Sequence, residues 1–155
     1  MTVGNGVVHL QPNENRSPGR VVLKAGAADT RGAYALRENT VAPGFSVQPH
    51  RHGSTEEAWY VIDGELTFLV EREVITVPAG GFALVPRGVT HAFSNRGEVA
   101  ARFLVIFSPP GLERMFEELL ELRASGKSTP EVTRAIRARF ETADVEVPSD
   151  VWPPK

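Results

Sequence analysis

Short apolar runs recur along the first two thirds of the chain, each bounded by glycine, proline or a polar cluster. They are VVHL (7–10), RVVLKA (20–25), AYALRENTV (33–41), FSVQPHRH (45–52), EAWYVI (57–62), ELTFLVE (65–71), EVITV (73–77), GFALVP (81–86), THAFSN (90–95) and AARFLVIF (100–107). Short strands at such regular spacing, with turn residues between them, predict an all-β sandwich or barrel. PNENRSPG (12–19) reads as a loop or arm. After Phe107 the period changes. Leu112, Met115, Phe116, Leu119, Leu120 and Leu122 fall on one helical stripe, with Ser108 and the prolines as its start and Gly126 as its stop. A second helix is predicted from STPEVTRAIRARF. Thr129 caps it, Pro130 occupies its first turn, and Val132, Ala135, Ile136 and Phe140 share a face. The tail VEVPSDVWPPK cannot continue a helix.

Composition narrows the function classes. The chain has 155 residues, enough for one domain with a core, and a net charge of −2, which advertises neither a nucleic-acid nor an anionic-membrane partner. No cysteine is present, which excludes disulfides, thiolate metal sites and a cysteine nucleophile. The N-terminal segment lacks the pattern of a signal peptide and no stretch approaches membrane-spanning length, so a cytoplasmic location is expected. Arg134, Arg137 and Arg139 make the second helix basic, but no DNA-binding helix pair is evident.

Two of the four histidines stand one residue apart, in PHRHGSTEEAWYVIDG (49–64). On a strand, residues i and i+2 share a face, so His50 and His52 would stand side by side. An isolated pair of this kind is explained by two solvent-facing imidazoles more readily than by a metal bite. The step from His52 to Glu57 is odd, but Gly53-Ser54-Thr55 breaks the strand, and Glu57 can then open a new one facing the first. Glu57 would share its face with Trp59 and Val61; Glu56 would share its face with Ala58, Tyr60 and Ile62. The pattern prefers Glu57 without deciding it. His91 follows a Pro-Arg-Gly turn at the start of another strand, where taken alone a strand-end histidine bonded to backbone explains it more readily than a ligand; His9 has no partner in sequence. Three neutral imidazoles and a carboxylate would suit iron, manganese, nickel, cobalt, copper or zinc, with positions left open for a ligand.

The same residues resemble a known family. Gly44, five residues, His50, one, His52, four, Glu57, six, Gly64 is similar to the first cupin motif. Gly80, five residues, Pro86, one, Gly88, two, His91, three, Asn95 is similar to the second, and the 15-residue spacer (65–79) resembles that of compact bacterial cupins. The resemblance implies a double-stranded β-helix (jelly-roll) barrel over 33–107, with His50, His52, Glu57 and His91 as ligands of one divalent transition metal. It implies a homodimer. The apolar run RVVLKA, which precedes the barrel in an arm of residues 1–32, would be an aggregation hazard if left unpaired, so exchange of these strands between subunits is expected, and the helical period makes 108–155 an extension. The segment FLVIFSPPGLERMFEELLEL is similar to that of small bacterial proteins grouped with flavonol (quercetin) 2,3-dioxygenases. That likeness implies a dioxygenase-type oxidoreductase using dioxygen on a small aromatic or enediol molecule, with Glu57 as the catalytic proton acceptor. An oxygen-independent isomerase, cyclase or lyase, and a non-catalytic metal- or ligand-binding protein, are the competing readings. Strand parity assigns the substrate-facing positions: Ser46 and Gln48 before His50, Trp59 and Val61 after Glu57, Phe93 after His91, and Phe103, Val105 and Phe107 on the last strand. Each of these aromatics is also explained as barrel core.

Overall fold

The sequence ARFLVIFS alternates almost without a break. Ala101, Phe103, Val105 and Phe107 are buried, while Arg102 and Ile106 face solvent. A strand of this kind needs a second sheet to cover its apolar face. The computed structural model, which describes residues 2–3, 6–16 and 22–152, supplies one. Its strands are β1 (Thr2–Val3), β2 (Val7–Val8), β3 (Leu23–Ala25), β4 (Ala35–Val41), β5 (His50–His52), β6 (Glu56–Asp63), β7 (Glu65–Val70), β8 (Glu73–Pro78), β9 (Phe82–Val85), β10 (His91–Ser94), β11 (Ala101–Ser108) and β12 (Thr142–Asp144); its helices are α1 (Leu112–Ala124) and α2 (Pro130–Arg139).

Two five-stranded antiparallel sheets face each other, in the orders β3-β4-β11-β6-β9 and β12-β5-β10-β7-β8, and β1 and β2 form a separate hairpin. Trp59, Val61, Leu66, Phe68, Phe103 and Phe107 fill the space between the sheets. Phe68, Phe103 and Phe107 are each at most 1% exposed. Burying an aromatic side chain of this size contributes about 1.5–3 kcal/mol. Gly64 turns the chain from β6 into β7 at φ +72°, and a Cβ there would sit 2.8 Å from the Ala100 carbonyl oxygen, so both conformation and space require glycine.

The mostly-β architecture with two short helices agrees with the sequence, with local differences. The run 45–52 is not one strand. Only 50–52 pairs continuously, and Ser46 makes a single bridge to Ser94, because Pro49 has no N–H to offer a ladder. Helix α1 starts at Gly111 rather than Ser108. Ser108 ends β11 and donates to the Ala33 carbonyl, and Glu113 accepts from the Gly111 N–H in place of a capping side chain. Helix α2 begins as expected, with Thr129 accepting from the Val132 N–H and Pro130 in its first turn. Of the run 20–25, residues 23–25 pair with β4 of the same chain; residues 20 and 21, and 17–19 of the expected loop, lie outside the described residues.

Two features of the C-terminal segment went unpredicted. β12 adds to the edge of the second sheet beside β5. Beyond it, Trp152 is 3% exposed, packs against Leu69 and Ala92 on that sheet's outer face, and donates its indole N–H to the Val47 carbonyl.

Candidate metal centre and cavity

β5 buries His50 and His52 and leaves Arg51 exposed, as a two-residue period requires. Antiparallel pairing sets His91 of β10 opposite His50, and Thr142 of β12 opposite His52. Residues 53–55 carry the chain across to the other sheet, where β6 turns Glu57 inward and leaves Glu56 half-buried. One sheet thus supplies three imidazoles and the facing sheet a carboxylate. The four residues are 7%, 2%, 4% and 1% exposed for His50, His52, Glu57 and His91, and one ligand atom from each lies within 4.8 Å of the others.

The outer hydrogen bonds decide what these atoms can do. His50 Nδ1 lies 2.8 Å from the Gln48 carbonyl oxygen and His91 Nδ1 3.0 Å from that of Val89. A carbonyl only accepts, so both Nδ1 atoms carry the proton and donate it. His52 Nδ1 lies 2.8 Å from Thr142 Oγ1, and that hydroxyl spends its own proton on the Phe140 carbonyl at 3.3 Å. Thr142 therefore accepts from His52. With the tautomers assigned by these partners, all three Nε2 atoms present lone pairs to one another and to the Glu57 carboxylate. His91 Nε2 approaches Glu57 Oε2 to 2.8 Å and His52 Nε2 to 3.5 Å, and His52 Nε2 is buried without a hydrogen-bond partner. Four acceptors facing inward with no donor among them require a proton or a cation at their centre. That donor set, nitrogen and oxygen with no sulfur, suits a divalent transition ion, so the residues present fit a metal.

Electrostatics agree. Burial and the neighbouring His91 push His50 down to about 3 from its ordinary 6.5, so it is a neutral ligand near pH 7. Burial alone would raise the Glu57 carboxyl; a proton shared with the facing His52 and His91 nitrogens would outweigh it and hold the group well below the usual carboxylate range, so the carboxylate is stable only with positive charge placed between it and these rings. A buried carboxylate faced by three imidazole nitrogens is a site prepared for positive charge.

A cavity of about 470 Å³ opens onto this cluster, with His50 and Glu57 in its wall. Of the positions expected to face substrate, Ser46, Gln48, Trp59 and Phe93 line it, as do Phe103, Val105 and Phe107. Val61 does not. It is wholly buried, paired with Phe103 and packed into the core two residues deeper than Trp59. Phe93 stacks among Phe45, Phe68, Trp59 and Phe103, with ring centroids 5.5–6.3 Å apart.

Sequence reasoning missed Thr142, Arg37 and Asn39, and the part played by the helices. Met115, Phe116 and Leu119 of α1 and Arg137 of α2 close the cavity's outer end. Arg37 and Asn39 could have been found. On β4 they share a parity with the buried Ala35 and Val41, so an inward-facing apolar strand carries two polar residues at its middle. Thr142 gave no signal, because its strand is three residues long and pairs with one ninety positions away.

A two-sheet β-barrel with an inward-facing set of three histidines and a glutamate at one mouth defines a barrel protein of metal-centre type. Residues 38–107 match the family model described as Cupin domain, so this segment of the chain is similar to cupin domains. It is 36% identical over 69 residues to the tetracenomycin polyketide synthase protein TcmJ of Streptomyces glaucescens, covering 44% of this chain and 46% of that one. It is 27% identical over 105 residues to the polyketide synthase CurC of Streptomyces cyaneus, covering 66% of this chain and 67% of that one. The match thus spans about half the length of the first of these relatives. Among solved structures, a conserved protein of Klebsiella pneumoniae with a double-stranded β-helix domain superimposes with a TM-score of 0.52 at 20% identity, covering 67% of this chain and 84% of that one, a likeness of fold. Among the described residues no helix is long and apolar enough to cross a membrane.

Proposed function

We propose that this chain is a metal-dependent enzyme whose His50, His52, Glu57 and His91 bind one divalent transition ion and whose cavity holds a small, enolisable, aromatic or polyketide-type molecule. The observation that carries the reading is the all-acceptor cluster at the inner end of a cavity lined largely by aromatic and aliphatic side chains. A cavity of about 470 Å³ accommodates a molecule of one to three rings. Such an ion supplies Lewis-acid polarisation of a substrate oxygen. The protein supplies the rest. Trp59, Phe93 and Phe103 offer ring surface to a flat molecule, α1 shields it from water, and Glu57 accepts the proton lost on enolisation. Because Glu57 is held in its charged form, it is a weak base while it remains tied to His52 and His91, and it takes the proton only once the substrate draws it out of the cluster.

Enolisation is the common first step of two outcomes. The two relatives named as polyketide synthase proteins favour a polyketide-type substrate, whose enolate can close a ring or isomerise without oxygen. The aromatic lining and the likeness to flavonol dioxygenases favour oxidative ring opening with dioxygen. Turnover of a flavonol and of an aromatic polyketide-like β-diketone by metal-reconstituted protein, followed with an oxygen electrode, separates them. Product with oxygen uptake assigns the dioxygenase, and product without it the isomerase or cyclase. No turnover of either compound in protein shown to hold one ion per chain contradicts the enzymatic reading.

A further inference from the structure

The cavity's charge is not explained by a metal centre. Its wall carries Arg37 from β4, Arg123 from α1 and Arg137 from α2, against a single lining carboxylate, Glu57. Arg137 is paired at 2.6 Å with Asp144 of β12, and Arg123 is exposed. Arg37 is different. Its Nη2 donates to Asn39 Oδ1 at 2.9 Å, its guanidinium lies 4.5 Å from the centroid of the Phe116 ring, and its Nε is buried without a hydrogen-bond partner. Glu57, Glu113 and Glu117 attract it through space, but among the described residues none closes an ion pair with it, and Glu113 accepts from the Gly111 N–H. A half-buried guanidinium held by one amide and one ring face keeps donors for a further acceptor, and its buried Nε–H is costly to leave without one.

Its position fits a ligand that also reaches the metal centre. Arg37 is opposite Val105, which is opposite Trp59, whereas Glu57 is opposite Phe107, which is opposite Ala35. Two strands across and two residues along put the Arg37 and Glu57 backbones roughly 12 Å apart. Both residues line the cavity from the same sheet, so a ligand lying along its wall can meet both.

We propose that the substrate carries an anionic oxygen group, carboxylate or phosphate, which Arg37 takes with Asn39 at the outer part of the cavity while the reacting oxygen faces the Glu57 end. This rests on the reading of the cavity as a substrate site, not on which reaction follows. Arg37 is then a specificity-determining residue. Its planar fork matches a carboxylate in two parallel hydrogen bonds, and the cationic wall raises the local concentration of anions.

The test is calorimetric binding of matched ligands to zinc-loaded protein, with the oxygen and the acid at opposite ends of the ring: 4-hydroxybenzoate, its neutral amide 4-hydroxybenzamide, and phenyl phosphate. The benzoate is expected to bind about 10- to 100-fold tighter than the amide. Arg37→Gln should abolish that gap without lowering the zinc content, and Arg37→Lys should restore part of it. Phenyl phosphate binding as well as the benzoate assigns a general oxyanion site, and weaker binding assigns a carboxylate site. Equal binding of acid and amide by the unaltered protein, binding of neither, or a gap that survives Arg37→Gln because the acid goes to the metal, overturns the proposal. Anion preference that depends on Arg37, without turnover of any substrate, would remove the enzymatic reading and leave this site standing. Turnover of neutral substrates indifferent to Arg37 would do the reverse.

Discussion

Replacing Thr142 by valine tests how the metal centre is oriented. The two side chains have nearly the same shape, and both suit a strand, so β12 should remain paired with β5. What is lost is the acceptor for His52 Nδ1–H, a 2.8 Å bond between residues 2% and 4% exposed, where no water replaces it. A stranded buried N–H costs about 1–3 kcal/mol. The ring can escape that cost by moving its proton to Nε2, but Nε2 is then a donor pointing into the cluster and no longer a ligand. Either way metal binding bears the loss, and removal of such an outer partner typically lowers affinity about 10- to 100-fold. The measurement is competition for zinc between protein and a chromophoric chelator, with the chelated protein unfolded in urea as a control for stability. Thr142→Ser, which keeps the hydroxyl, should bind as the natural protein does. Unchanged zinc affinity in Thr142→Val protein would refute the claim that Thr142 fixes the His52 tautomer.

Acid should destabilise the metal-free protein. His50 takes up a proton only near 3 when folded but near 6.5 when unfolded, so the unfolded chain binds more protons between those values, and stability falls by up to about 1.4 kcal/mol per pH unit as pH drops through that window. Glu57, depressed by its partners, acts with the same sign at lower pH. Urea unfolding of chelated protein at pH 7, 5.5 and 4 reads this, His50→Gln should flatten the upper part of the slope, and a flat profile in the natural protein counts against the burial argument. Trp152→Ala removes the cover over Leu69 and Ala92 and the bond to Val47, and should cost about 3–5 kcal/mol; a loss below ~1 kcal/mol would mean that the tail is not docked. Gly64→Ala should cost about 1–3 kcal/mol, because its φ of +72° and the Ala100 carbonyl both oppose a Cβ; an unchanged unfolding midpoint would contradict that turn geometry.

The shared face of the candidate metal site was legible in part where the period of two applies, though the pattern alone left Glu57 and Glu56 open. His50 and His52 share a face because one residue separates them, and the Gly53–Thr55 break resets the parity so that Glu57 faces in while Glu56 does not. The alternation in 101–108 likewise gave the inward set of Phe103, Val105 and Phe107. The same rule applied to β4 would have put Arg37 and Asn39 inside, but the polar run RENT reads as surface unless the buried Ala35 and Val41 are taken as its frame. Thr142 and Trp152 were beyond reach for another reason. Their contacts, to His52 and Val47, close loops of ninety residues or more, and no local pattern records which distant edge a three-residue strand will join. Helix α1 shows the same divide: its stripe predicted burial of Leu112, Met115 and Leu119, but not that the surface beneath them would be the mouth of a cavity.

The central claim is that three Nε2 lone pairs and one carboxylate converge on a single cation. Crystallographic anomalous scattering at the absorption edge of the bound metal tests it most directly. The account predicts one ion per chain, within about 2.0–2.2 Å of Nε2 of His50, His52 and His91 and of a Glu57 oxygen. An ion held through Nδ1, an ion bound elsewhere on the chain, or a cluster that stays closed by a proton in a saturating metal solution would contradict it.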